Sequence, residues 1–311
     1  MAEIVITEFM DAQAVARISE SHEVLYDPGL ADRQGEIADL LGGCRALIVR
    51  NRTQVSEAIL QKANTLECVG RLGVGLDNID VDACKARGVA VYPATGANNL
   101  SVAEYVITSA MALLRGAYHA NAAMIAGQWP RQSLMGRELS GKTLGLVGFG
   151  AIAQETARKA VSLGMKIVAH DPFIAENHPA WRTVERLDLL DLLSVSDVVS
   201  LHVPLTDETH HQINAEALKH MKKDSVLINA ARGGVVDENA LADALHRGAL
   251  AGAALDVFEK EPLDAVHGQR FEGLKNIILT PHIAGVTVES NVRVSDLIAD
   301  LVLGHLGNSN E

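Results

Sequence analysis

Short apolar runs alternate with stretches whose apolar residues recur every three or four positions, and the alternation persists along the whole chain. In the first third, Ile4 to Thr7, Glu23 to Tyr26, Ala46 to Val49, Cys68 to Leu72 and Val89 to Tyr92 predict strands. Helical patterns lie between them, near Asp11 to Ser19, Arg33 to Leu41, Ser56 to Lys62 and Val81 to Arg87. A longer helix is predicted over Ser101 to Leu114, with Ser101 and Glu104 in capping-box spacing, and a helical stretch near Tyr118 to Gln128 follows it. Strands resume at Leu144 to Val147, Lys166 to Ala169, Val198 to Val203, Val226 to Asn229, Ala251 to Leu255 and Ile277 to Leu279. The intervening helices end near Leu163 or cover Asp188 to Leu193, Asn214 to Lys222 and Glu238 to Arg247. Strand and helix in alternation imply α/β architecture with mostly parallel sheets. A final amphipathic helix, Glu289 to His305, comes too late to belong to the second sheet and is expected to return to the first. The expected domains are therefore 1–99 with 287–311, and 100–286, with a cleft between them.

The second unit opens on the most informative stretch. Leu144 to Val147 suits a buried strand, Gly148-Phe149-Gly150-Ala151-Ile152-Ala153 turns the chain, and a helix, a second strand and Asp171 follow. Gly148 allows the turn, Gly150 lets backbone approach a pyrophosphate, and the small Ala153 lets helix and strand pack closely. The first helical amides, at Ala151 and Ile152, are left to bind phosphate. Asp171, about 20 residues past the first glycine, stands where a carboxylate accepts both ribose hydroxyls of an adenine dinucleotide. It would repel the 2′-phosphate of NADP, and Pro172 and Phe173 rather than an arginine follow it, so the expected cofactor is NAD. Both units thus read as Rossmann-like, doubly wound parallel sheets.

Composition narrows the partners. With 48% hydrophobic and 21% charged residues the chain reads as globular, and no apolar run approaches the ~20 residues of a membrane span. The start, MAEIVITEF, lacks the basic-then-apolar layout of a secretory signal, so a cytoplasmic protein is expected. A net charge of −12 without a basic patch argues against nucleic acid and anionic membrane as partners. Cys44, Cys68 and Cys84 lack C-x-x-C spacing and read as reduced packing residues, and no metal site is expected. An anionic small substrate must then find its positive charge locally.

Ligands of open parallel sheets lie beyond the carboxyl ends of the strands. There stand Arg232, Asp256 with Glu261 in the next turn, and His282. Hydride transfer between a nicotinamide and a 2-hydroxy acid needs a cation for the carboxylate, a proton acceptor for the hydroxyl and a group that tunes the acceptor. Arginine, histidine and glutamate suit those tasks. Taken singly, His282 could be a loop residue satisfied by backbone, and Arg232 could pair with Asp237.

The strings NAARGGVVDENAL, DVFEKEPL and LTPHIAGVT, with GFGAIA before them and GRLGVGLDNID and NNLSVAEYV upstream, resemble the D-isomer-specific 2-hydroxyacid dehydrogenases along almost the whole chain. The resemblance implies a catalytic triad of Arg232, Glu261 and His282. It implies that Asp256 holds the nicotinamide carboxamide, that Ala230, Ala231, Arg232, His282 and Gly285 line the cofactor, and that the assembly is a homodimer. It also implies substrate contacts from Val74, Gly75, Asn98 and Arg232. Two departures, Ala153 for the third glycine and Ala284 where a glycine is common, remove no functional side chain.

Arg50 and Arg52 follow the strand Ala46 to Val49 and, if the chain stays extended, point the same way. They could be solvated surface arginines; in the similar phosphoglycerate dehydrogenases arginines at this place contact the substrate phosphate. No regulatory domain is expected after the final helix, and the N-terminal half is similar to sulfolactate dehydrogenases. That likeness implies (S)-3-sulfolactate first, 3-phosphoglycerate second and D-lactate, glycerate or malate-like acids third. Because sulfur takes priority at C3, (S)-3-sulfolactate is spatially equivalent to a D-hydroxy acid. The alternative is an NAD-sensing corepressor-like binding protein of the same fold.

Overall fold

The structure, a computed structural model, describes residues 2–308, with backbone alone for residue 308. The extreme ends of the expected first domain, residue 1 and residues 309–311, lie outside the described residues. Two compact units are present: one takes the chain through Asn98 and again from Val286, the other spans Asn99–Gly285.

The first unit begins β1 (Ile4–Ile6), α1 (Ala12–Ser19), β2 (Val24–Tyr26), α2 (Gln34–Leu40), β3 (Ala46–Val49), α3 (Glu57–Lys62), β4 (Cys68–Arg71), α4 (Val81–Ala86) and β5 (Ala90–Pro93). Its strands form a parallel sheet in the order β2-β1-β3-β4-β5. Successive strand residues alternate between two cores. Val5, Leu47 and Val49 pack on one face with Ile37, Ile59 and Leu60. Ile4, Ile6 and Ile48 pack on the other with Ala14 and Ile18 of α1. Full burial of each such Ile or Leu contributes about 1.5–3 kcal/mol, which explains why the strands read as unbroken apolar runs.

The second unit runs α5 (Asn99–Arg115), α6 (Asn121–Ile125), β6 (Thr143–Val147), α7 (Ala151–Ser162), β7 (Lys166–His170), β8 (Glu185–Arg186), α8 (Leu189–Val195) and β9 (Val198–Leu201). It continues α9 (Ala215–His220), β10 (Val226–Asn229), α10 (Glu238–His246), β11 (Gly252–Leu255), α11 (Ala265–Gly268) and β12 (Ile277–Leu279). The parallel order is β12-β11-β10-β9-β6-β7-β8. The connection reverses direction between β6 and β9, and the crevice beyond their carboxyl ends is where such sheets bind ligands. The last helix, α12 (Val288–Asn308), rejoins the first unit, where Val294, Ile298, Ala299, Val302 and Leu306 complete the core around Ile4 and Ile48.

Two local expectations change. α5 starts at Asn99, so Ser101 is not its cap but a residue 4% exposed inside the helix, and Glu104 accepts a 3.0 Å bond from Lys159 instead of closing a capping box. The apolar face of α5, through Val106, Ile107, Ala110 and Leu114, packs against Leu144, Leu146 and the alanines of α7, and that burial sets the start. The helix expected over Tyr118 to Gln128 shrinks to the five residues of α6, none of them buried, because a short helix without a buried face gains little beyond its own hydrogen bonds.

Candidate active site

Three groups of residues gather at strand ends. The first is the turn from β6 into α7. Gly148 has φ +86°, and a Cβ there would stand 2.6 Å from the carbonyl oxygen of His202, so both the turn and its contact with the chain after β9 require glycine. Gly150 caps α7 with no side-chain bond to the helix amides, and a Cβ on it would meet nothing within 4 Å. Open space therefore lies over an uncapped N-terminus at Ala151 and Ile152, as a pyrophosphate would need. Ala153 is fully buried against β6. Asp171, just past β7, accepts from Phe149 N at 2.8 Å through Oδ2, and from Phe173 N and Ile174 N at 2.9 and 3.2 Å through Oδ1. Backbone thus takes three of its four acceptor positions, and the remaining one, on Oδ2, is what it offers a ribose hydroxyl.

The second group lies past β10, β11 and β12. Asn229 ends β10 and folds the next turn on itself, accepting from Ala231 N at 3.1 Å and donating to Arg232 O at 2.9 Å. Ala230, Ala231 and Arg232 are half-buried in that turn. Arg232 Nη1 donates to Ala231 O at 2.6 Å, while Asp237 spends Oδ1 on capping α10 through Ala240 N. Past β11, Glu261 turns back to accept from Phe258 N at 3.1 Å, and its other oxygen meets His282 Nδ1 at 2.7 Å. Burial alone would raise the Glu261 carboxyl. The bond and charge of His282, the Phe258 N–H and the charge of Arg232 outweigh it and hold the group below its ordinary value, as a carboxylate. An ionised acceptor fixes the proton on Nδ1 and leaves Nε2 of His282, a side chain still 37% exposed, as the nitrogen able to exchange a proton. Gly285, half-buried, ends this loop.

Asp256 is 1% exposed and faces the same loop, accepting from Thr280 Oγ1 at 2.6 Å, Ile283 N at 2.9 Å and Ala284 N at 2.7 Å. One acceptor position remains for another donor.

The third group is at the carboxyl edge of the first sheet, where the extended-chain expectation fails. Past Val49 the backbone wraps around the buried carboxylate of Glu8, which accepts from Arg50 N and Thr53 N at 2.9 Å, Arg52 N at 3.1 Å and Asn51 N at 3.3 Å. Arg50 and Arg52 therefore diverge. Arg52 is an exposed residue in an ion pair with Asp32. Arg50 is half-buried, with Nη2 donating to Asn291 Oδ1 of α12 at 2.8 Å; burial lowers its guanidinium from the ordinary value and the Glu8 charge opposes that. Asn78 stitches this loop to the next, donating to Thr53 O at 2.6 Å, and Val74 and Gly75 lie half-buried in between. Asn98 Oδ1 is buried without a hydrogen-bond partner. Arg71, the last residue of β4, does not stand out in the sequence. Its Nη1 lies 1.5 Å from where a Cβ on Gly73 would stand, so the guanidinium covers the loop that holds Val74 and Gly75. An arginine two residues before Gly73, at a strand end, is the signal the sequence carries. Among the described residues no cluster of His, Cys, Asp or Glu is fit to hold a metal ion, and no helix is long and apolar enough to cross a membrane.

Residues 107–284 match the family model described as D-isomer specific 2-hydroxyacid dehydrogenase, NAD binding domain. The chain is 53% identical over 308 residues to an (S)-sulfolactate dehydrogenase of Chromohalobacter salexigens, covering 99% of each. It is 37% identical to a D-3-phosphoglycerate dehydrogenase of Synechocystis, over 98% of this chain and 55% of that one, so it spans about half of that relative's length. A D-lactate dehydrogenase of Aquifex aeolicus, solved with NAD and lactic acid, superposes with a TM-score of 0.85 at 28% identity, covering 98% of this chain and 96% of the other.

Proposed function

The chain belongs to the D-isomer specific 2-hydroxyacid dehydrogenases, NAD-dependent oxidoreductases, and from that premise we propose that its substrate carries an anionic group on C3. The first pair is (S)-3-sulfolactate and 3-sulfopyruvate, and the second candidate is 3-phosphoglycerate. The observation that carries this reading is Arg50, a half-buried guanidinium just past the carboxyl end of β3, where ligands of such folds bind, held there by its bond to Asn291. Arg71 over the neighbouring loop adds a second positive charge.

In this reading the second unit holds NAD through the Gly148 to Ile152 turn, Asp171, Ala230, Ala231, Gly285 and the last acceptor position of Asp256. The first unit holds the acid through Arg50, Val74, Gly75 and Asn98. NAD supplies the hydride acceptor or donor. Arg232 binds the substrate carboxylate through its planar fork and polarises the C2 oxygen. His282 takes the hydroxyl proton on Nε2 during oxidation and returns it during reduction, while the Glu261 carboxylate stabilises the imidazolium from the Nδ1 side. The proposal extends to a cytoplasmic homodimer joined near residues 118–135, where Tyr118, Ile125, Trp129 and Met135 hold large apolar side chains in solvent. Sedimentation at micromolar concentration tests the dimer.

Arg50→Gln tests the substrate. A hydrogen bond between charged groups contributes about 1.5–3 kcal/mol, so KM for sulfolactate should rise roughly 10- to 150-fold while kcat/KM for D-lactate holds. Unchanged KM for every C3-anionic acid would remove the reading.

A further inference from the structure

The geometry points to Tyr105 and Thr280 as positioning residues for His282, acting through the buried carboxylate of Asp256. The inference rests on the reading of His282 as the proton-exchanging group. His282 has φ +55°, a left-handed conformation that a side chain seldom adopts, so the loop around it must be held from outside. Asp256 does the holding. Its carbonyl accepts from His282 N at 2.8 Å, and its carboxylate accepts from the next two amides, Ile283 N and Ala284 N. Burying a carboxylate this deeply is costly unless donors surround it, and its third donor is the Thr280 hydroxyl.

Thr280 has a single hydroxyl proton, and it points to Asp256. The 2.6 Å contact between Thr280 Oγ1 and Tyr105 Oη must then run the other way, with the phenol donating. Burial raises the Tyr105 phenol from its ordinary value, the Asp256 charge adds to this, and the hydrogen bonds with Thr280 and Ser109 oppose it, so the phenol keeps the proton it shares. Donors thus converge on Asp256 from two directions, the phenol in the middle of α5 acting through Thr280, and the backbone amides of His282, Ile283 and Ala284. The side-chain link through Thr280 joins residues 175 and 24 positions apart, and none of its side chains serves in the chemistry proposed for Arg232, Glu261 and His282. Without it, a second acceptor position of Asp256 is left with no donor, and the loop loses the contact that fixes its direction.

The test uses the full-length protein with NADH and compares Tyr105→Phe, Thr280→Val and Thr280→Ser with His282→Gln. Since a misplacement near 1 Å can cost ~10²-fold in rate, Thr280→Val should lower kcat about 10- to 100-fold, and Tyr105→Phe about 3- to 10-fold. NADH affinity, read by nicotinamide fluorescence, should fall much less than kcat in both, because the phosphate and ribose contacts are untouched and Asp256 keeps its open acceptor position. Thr280→Ser, which restores the hydroxyl, should recover kcat to within about threefold of the parent. If Thr280→Val fails to fold, Tyr105→Phe, which removes one oxygen atom, carries the test alone. Parental kcat in Tyr105→Phe and in Thr280→Val, with His282→Gln inactive, would overturn the inference and leave the site reading intact. Parallel losses of kcat and NADH affinity, unrescued by serine, would mark a general folding role and also overturn it. Full turnover in His282→Gln would instead bring down the site reading, and the inference with it.

Discussion

Glu261→Gln isolates what the charge beside His282 does. The substitution keeps shape and burial but replaces an oxygen that accepts at 2.7 Å from His282 Nδ1 and another that accepts at 3.1 Å from Phe258 N. An amide can satisfy one of these donors only by turning its NH2 on the other. If the NH2 faces the imidazole, the proton moves to Nε2, the nitrogen that must stay open for oxidation. A hydrogen bond to a charged partner is worth about 1.5–3 kcal/mol, which sets a lower bound near 10- to 150-fold. Full Coulomb attraction at 2.7 Å with an effective dielectric near 20 would be roughly 6 kcal/mol, an upper bound that water at this half-exposed pair reduces. A loss in kcat of about 10²- to 10³-fold is therefore expected, with NADH affinity retained. Initial rates in both directions, with NADH titrated by fluorescence, read both quantities. A kcat within threefold of the parent would refute the reasoning.

Asp171→Asn removes the charge that repels a 2′-phosphate while keeping one acceptor for the turn, so the preference for NADH over NADPH should fall about 10-fold or more, read as the ratio of the two dissociation constants. Gly148→Ala puts a methyl 2.6 Å from the His202 carbonyl at φ +86°; the left-handed backbone and the overpacking together cost about 2–5 kcal/mol, visible as a lower Tm and lost NADH binding. Cys44, Cys68 and Cys84 are free and buried, and burial pushes the Cys44 and Cys68 thiols up to about 12. Thiol reagents at pH 8 should therefore label none of the three until denaturant unfolds the first unit, a rate followed by mass spectrometry.

What was legible in the sequence was local. The strand β6, its glycine turn, α7, β7 and Asp171 sit within one stretch of chain, so spacing alone fixes their relation, and the unbroken apolar run of β3 and the mostly apolar β9 and β10 mark strands buried on both faces. The residues hidden from that reading are those whose setting depends on distant chain. Nothing near Arg50 announces that Glu8, 42 positions earlier, will pull the backbone into a turn and send Arg52 away to Asp32. Ser101 carries a capping signature, yet the apolar face of α5 sets the helix start two residues earlier. Thr280 reads as an ordinary strand-end hydroxyl until α5 brings Tyr105 to it. Periodicity reports which face of an element is buried, and it does not report which polar partner waits there.

The most direct test of the central claim, a C3-anionic acid as substrate, is NAD reduction by the purified protein against (S)-sulfolactate, 3-phospho-D-glycerate, D-lactate, D-glycerate and D-malate. One charge-assisted contact from Arg50 predicts kcat/KM for sulfolactate roughly 10- to 150-fold above D-lactate, with 3-phosphoglycerate second. Equal or higher kcat/KM for the acids with uncharged C3 groups would contradict it.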